Sequence, residues 1–283
     1  MGYVGGQALI EGVMMKGDDY ISRAVYNPEG MLIIDKKEYK SFAKKFPILG
    51  LPLIRGSVNL IEMMILGMNS LMYSINVSSP ESEKVSKNEM TTSLFISVAI
   101  SVIMFVVIPA TFFNYLRVTF TDFNIILLNL SEGLFRMSIF LGFLVSTLFM
   151  KDMRAVYAYH GAEHKAVNAF ENKAELKVES VKKFSTIHTR CGTSYIMVVL
   201  IVSILVFSFI GRQALINRIF FKLLLFPLIS GISYEFIRLA AKYNKNLFFK
   251  AFLLPGFLVQ LITTKEPDDR QLSAAIGALK EVI

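Results

Sequence analysis

Long apolar runs separated by short charged segments dominate the pattern of this chain. Thr92 to about Leu116 carries no charge, and Ser194 to Ile210 is equally uninterrupted. About Phe123 to Met150 is broken only by Glu132 and Arg136, and about Ile219 to Ala240 holds Lys222 toward one end and Glu235 and Arg238 toward the other. A helix needs about 20 mostly apolar residues to cross the hydrocarbon core of a bilayer, so these four runs are predicted transmembrane helices. In Leu51 to Ile75, Arg55, Asn59, Glu62 and Asn69 recur near helical spacing, which predicts an amphipathic or membrane-associated helix over 48–77. Leu247 to Thr264 contains Lys250 and a Pro255-Gly256 break, which predicts an interfacial or re-entrant segment over 241–264.

Between the apolar runs lie predicted soluble parts. Residues 20–26 alternate loosely, Asn27-Pro28-Glu29-Gly30 supplies a turn, and Met31 to Ile34 returns, so residues 1–47 are read as a β-hairpin region. Gly2, Gly5, Gly6, Gly12 and Gly17 punctuate the stretch before it. With no strand ahead of them and no Walker lysine after them they form no nucleotide-binding motif, and a flexible backbone is expected there. Residues 78–91 are a polar linker, residues 92–150 and 194–240 two helix pairs, and residues 151–193 a helical loop between them. In 265–283, Pro267, Asp268 and Asp269 open an amphipathic helix whose apolar face is Leu272, Ile276, Leu279 and Ile283. The fold class is thus a predominantly α-helical integral membrane protein of about four transmembrane helices plus amphipathic or re-entrant segments, with a small N-terminal β element.

Composition narrows the class. Of 283 residues, 54% are hydrophobic and 18% charged, which excludes disorder. One cysteine excludes an internally disulfide-bonded scaffold. The first 45 residues hold charges throughout and no continuous apolar core of a cleavable signal peptide. Lys and Arg number ten in residues 1–91, eight in 151–193 and six in 241–283, against three (Arg117, Arg212 and Arg218) in the two opposite connections. Positive residues stay cytoplasmic, so a multi-pass membrane protein is expected, with both termini and the 151–193 loop in the cytoplasm. Charge spread along a membrane rim, without aromatics gathered beside it, argues against nucleic-acid binding.

Candidate chemistry concentrates in one window. All three histidines and the cysteine fall between positions 160 and 191. In His160-Gly161-Ala162-Glu163-His164, the two histidines stand one helical turn apart and can reach one metal ion, with Glu163 beside them in the H-x-x-E-H order of inverted zincins. His188 and Cys191 offer two further ligands. Two plus two makes a closed structural site, and two plus one leaves a position for water. Glu163 is then either the general base for that water or a hydrogen-bond partner of a ligand imidazole. Cys191 with His188 and Arg190 is also a candidate nucleophile and base. Glu235, Glu11, Glu62, Asp268 and Asp269 are further candidate carboxylates, Glu235 as a third ligand or proton relay. The aspartates are equally suited to satisfying a helix N-terminus.

Glu132 with Arg136, and Glu235 with Arg238, are spaced to share a helix face; inside a bilayer such groups turn toward protein or water and pair there.

Several segments together resemble the bacterial YqhQ-like family, a domain of unknown function described as predicted metal-dependent enzymes. They are Gly5-Gly6-Gln7-Ala8-Leu9-Ile10-Glu11-Gly12-Val13-Met14-Met15, Leu53-Ile54-Arg55-Gly56, His160 to Lys165, His188-Thr189-Arg190-Cys191-Gly192-Thr193, Gly231-Ile232-Ser233-Tyr234-Glu235 and Thr263 to Asp269, in order over nearly the whole chain. The resemblance implies a metal-dependent activity and supplies no substrate or reaction. The expected function is a cytoplasm-facing zinc site, with His160, His164, His188 and Cys191 as metal ligands and Glu163 as base. Arg190 or Arg55 would stabilise anionic charge, and the reaction would be hydrolysis of a peptide or lipid at the membrane surface. The expected partners are the bilayer, anionic lipid or a membrane-protein substrate. The alternatives are a non-catalytic membrane scaffold or regulator with a structural metal site and, last, a transporter; the repeat symmetry of common transporter folds is missing from the sequence.

Overall fold

The computed structural model describes residues 4–80, 86–122, 124–211, 213–243 and 246–283. Gly2, residues 81–85 of the predicted linker, Phe123, Arg212 and Lys245 lie outside the described residues.

Where the glycine-rich start predicts a flexible backbone, the chain instead forms two more strands. β1 (Gly5–Leu9), β2 (Gly12–Lys16), β3 (Tyr20–Tyr26) and β4 (Leu32–Glu38) make an antiparallel sheet in the order β1-β2-β3-β4. Gly12 pairs with Val25, and Tyr26 with Leu32 across the predicted turn, where Gly30 N–H donates to Asn27 O at 3.0 Å. The extra strands escape a periodicity reading because they are covered on both faces. Val13, Met15, Ala24 and Tyr26 point into one core, while Leu9, Met14 and Val25 pack against Met63, Tyr73 and Val77 on the other side. A strand buried on both faces reads as a continuous apolar run.

After a short α1 (Phe42–Lys45) come α2 (Ile54–Ser78), α3 (Lys87–Val102), a π-helical segment at Ile103–Val107, α4 (Ile108–Thr119) and α5 (Ile125–Thr147). Then follow α6 (Lys151–Glu171), α7 (Val178–Val181), α8 (Gly192–Ser208), α9 (Leu215–Lys242), α10 (Leu247–Thr263) and α11 (Asp269–Lys280). Four helices are long and apolar enough to cross a membrane: Ile54–Ser78, the continuous Asn88–Thr119, Ile125–Thr147 and Leu215–Lys242. α8 and α10 are apolar but have 17 residues each. α10 also corrects an expectation, because no break occurs at Pro255-Gly256 and the helix continues to Thr263. Leu253, Gly256, Val259, Gln260 and Thr263 are all buried along it, so packing outweighs the one hydrogen bond a proline removes.

Three segments far apart in sequence share one core. Val13, Met15 and Ala24 of the sheet meet Tyr159, Ala162 and Ala166 of α6 and Leu272, Ala275 and Leu279 of α11. The amphipathic face of α11 follows the predicted spacing except at its end, where Val282 is buried and Ile283 exposed. The helix has stopped at Lys280, so the helical spacing no longer applies there. The remaining apolar clusters lie in the helix bundle, between α8, α9 and α10 and between α5, α8 and α10.

Candidate metal centre

α6 carries His160 and His164 one turn apart, with ring centroids separated by 4.4 Å. The residue after His160 has to be glycine, because a Cβ on Gly161 would stand 2.0 Å from the carbonyl oxygen of Lys265. That approach is fixed by Lys265 N–H, which donates to Tyr157 O at 2.9 Å and lays the segment after α10 along α6. Cys191 arrives from a third direction as the N-cap of α8, its Sγ accepting from Thr193 N–H at 3.3 Å. The same Sγ lies 3.3 Å from His160 Nε2. One ligand atom each from His160, His164 and Cys191 falls within 4.8 Å of the other two.

The outer nitrogens set the tautomers. His160 Nδ1 lies 2.9 Å from the carbonyl oxygen of Thr263, and His164 Nδ1 is bonded to that of Thr186. A carbonyl only accepts, so each Nδ1 carries the proton and each Nε2 keeps a lone pair for the inside of the cluster. Burial holds the His164 imidazole below its ordinary range, offset in part by its hydrogen bond to Cys191. Two imidazole nitrogens and a thiol are donor types that zinc takes, but atoms around a tetrahedral zinc ion are about 3.4–3.8 Å apart, so a group spread over as much as 4.8 Å would have to draw together to hold one.

Glu163 is buried beside this cluster. Burial raises its carboxyl above the usual range, while the nearby His160 and His188 and the N–H of Gly6, which it accepts, oppose that rise. Gly6 is also required here: a Cβ would sit 2.9 Å from Glu163 Cδ and 2.7 Å from Met14 O.

The other candidates lie elsewhere. His188 is next to the cluster, its ring centroid 5.8 Å from that of His164, but its Nε2 faces Glu171 Oε2 at 3.3 Å and is not among the three grouped ligand atoms. Arg190 pairs with the other oxygen of Glu171. Arg55 pairs with Glu235, which also accepts the N–H of Leu53 and so joins the start of α2 to α9. Glu11 accepts from Tyr159 OH at 3.2 Å and faces Arg270 at 3.5 Å. Glu62 accepts from Phe42 N–H. Asp268 caps α11 in a capping box with Gln271, and Asp269 pairs with Lys182 at 2.7 Å. Each of these eight side chains is engaged in joining elements or ending a helix.

Two residues matter that sequence reasoning missed. Glu171 orients both His188 and Arg190. Gln260, fully buried in α10, accepts from His188 N–H at 2.9 Å and donates to His188 O at 2.9 Å and Ser194 Oγ at 2.7 Å. The signal for Gln260 was present: it is the sole amide side chain in the apolar run that forms α10.

Residues 51–283 match the family described as "protein of unknown function (DUF1385)". The chain is 29% identical over 291 residues to "Uncharacterized protein YqhQ" of Bacillus subtilis (strain 168), covering 99% of this chain and 92% of that protein. No solved structure matches the chain.

Proposed function

The chain belongs to the DUF1385 family, whose description leaves its function open, and from the geometry above we propose a membrane-embedded, zinc-dependent hydrolase that acts on a peptide or lipid at the cytoplasmic surface of the bacterial inner membrane. The observation that carries this reading is the paired tautomer lock, in which two backbone carbonyls hold both Nδ1 protons and leave both Nε2 lone pairs toward Cys191. Carbonyls behind ligand imidazoles are the usual support of a metal site. A bound zinc ion would supply a water acidified to near neutral pH. With a metal held by His160, His164 and Cys191, Glu163 beside His160 would be the residue placed to accept a proton there. Anionic lipid or a membrane protein is the partner that this location favours.

We infer the topology by counting crossings. The sheet, α6 and α11 share one core, so the chain returns to the same side between residues 38 and 151 and again between 171 and 269. Two crossings, by α3–α4 and by α5, satisfy the first return. A third by α2 would not, and Met63, Tyr73 and Val77 of α2 lie against the sheet. Crossings by α8 and α9 satisfy the second return and leave α10 in the interface. A 17-residue α8 spans about 25 Å, near the thickness of the hydrocarbon core.

A specific observation favours the structural-metal reading as well: Glu163 is almost fully buried and bonded by Gly6 N–H. The deciding experiment is elemental analysis of detergent-purified protein beside a His160→Ala/His164→Ala variant. Near-stoichiometric zinc that the variant lacks supports a metal centre, and a folded wild type without metal overturns it. Glu163→Gln then separates the two roles, since retained metal with lost turnover indicates hydrolysis and unchanged function indicates a staple.

A further inference from the structure

At the opposite end of the bundle, three cations surround one carboxylate. Glu132, two turns into α5, faces Arg136 at 3.1 Å through Oε1 and Arg218 at 2.5 Å through Oε2, and Lys222 lies against Oε1. Exposure of the four side chains runs from 1% to 7%. Their formal charges sum to plus two. Arg218 also donates to Asn129 Oδ1 and stacks on the Phe113 ring, its Cζ 3.4 Å from the centroid. Arg136 donates to Phe105 O in the π-helical segment at 2.8 Å and to Ser203 Oγ at 3.3 Å. Among the described residues, Arg218 Nη1 is buried and meets no acceptor.

Buried charge in excess of its partners is costly, and an isolated donor on a fully buried guanidinium adds to that cost. Neutral contacts with Asn129, Ser203 and the phenyl faces ease the burial without cancelling the charge. Guanidinium groups present planar pairs of donors that match the oxygens of phosphate, which offsets one of the two excess charges as a phosphodiester and up to both as inorganic phosphate. We propose that Arg218, Arg136 and Lys222 form a phosphate-binding site at this end of the bundle, about 20 Å along α8 from Cys191. Its phosphate group comes either from a phospholipid headgroup or from free inorganic phosphate. Glu132 keeps the three cations gathered, and Arg218 Nη1 is the donor left without a partner for the phosphate.

The test uses full-length protein in detergent, before and after phospholipid depletion, and reads the thermal unfolding midpoint. Inorganic phosphate is titrated at constant ionic strength against chloride. A saturable rise in the midpoint of depleted wild type supports the site. Half-saturation should move at least about tenfold higher in Arg218→Gln, or in Arg218→Lys, which keeps the charge but loses the fork, should the first variant not fold. If phosphatidylglycerol, retained in native mass spectra or added back, raises the midpoint and abolishes the phosphate response, the source is lipid; if the phosphate response persists with lipid present, the source is free phosphate. A folded wild type that answers neither phosphate nor phosphatidylglycerol beyond chloride overturns the proposal. So does an unchanged half-saturation in the folded Arg218 variants.

Discussion

Gly6 gives its backbone N–H to the carboxylate of Glu163, so the first strand of the protein closes over the acidic residue at the centre of α6. The contact depends on the missing side chain, because a Cβ at Gly6 would stand within 3 Å of Glu163 Cδ and of Met14 O. The contact adds to the apolar core that the N-terminal sheet, α6 and α11 share, since moving β1 would uncover Glu163.

Gly6→Ala is therefore expected to push β1 away from α6. The overpacking should cost about 1–3 kcal/mol. Denaturant unfolding measures it, and Gly5→Ala is the control, since nothing lies within 4 Å of a Cβ built there. Equal stability of the two variants would show that β1 is not seated on Glu163.

Glu163→Gln keeps the shape of the side chain and its bond from Gly6 while removing the proton acceptor. Metal content should match wild type. Turnover of a peptide or lipid substrate, once one is found, should fall by about 100- to 10,000-fold, the range of general-base loss.

Gln260→Leu tests the clamp between α10 and the loop carrying Cys191. It strands His188 N–H and O, which Gln260 now satisfies. Each unsatisfied buried group costs about 1–3 kcal/mol, so a drop of about 2 kcal/mol or more is expected, together with weaker metal retention as Cys191 loosens. Chemical denaturation and metal competition with a chelator read the two effects.

Arg55→Ala should separate structural from chemical roles. Arg55 pairs with Glu235 at the junction of α2 and α9, both side chains partly exposed, so a loss of about 1 kcal/mol is expected. Metal content should stay at the wild-type level; its loss would place Arg55 in the metal centre.

Metal retention should depend on pH in a stated direction. Metal ligands must be deprotonated, so protons compete with the ion as pH falls. Burial holds His164 below the ordinary imidazole value of 6.5, which favours its neutral form in the fold. If the site holds a metal, its retention should fall as pH is lowered, with His164 resisting protonation more than a free imidazole. Metal analysis after equilibration across pH 8 to 5 checks this, and retention that rises or stays flat toward pH 5 contradicts it.

Some of this was legible in the residues alone. The apolar runs at 92–116, 123–150 and 219–240 announce their helices because length and hydrophobicity are properties of consecutive residues. His160 and His164 could be paired on paper, since helical spacing fixes which side chains share a face. The clustering of Cys191 with them could only be suspected from proximity in sequence. Other relationships needed the folded chain. β1 and β2 carry no alternation, being covered on two sides, and nothing in the apolar run of α2 announces that Met63, Tyr73 and Val77 pack against the sheet. Thr186 and Thr263 contribute backbone carbonyls, which no side-chain motif announces. Glu171 and Gln260 gain their roles from partners on other elements. Which segments are helical and apolar, and which few residues offer metal-ligand atoms, can be read from consecutive residues, because these follow from local composition and the geometry of a single helix. That residues near both ends of the chain close over α6, and which carboxylates join elements rather than face the histidines, emerges only in the fold. Such contacts depend on where the chain returns in space, and spacing along it does not encode that.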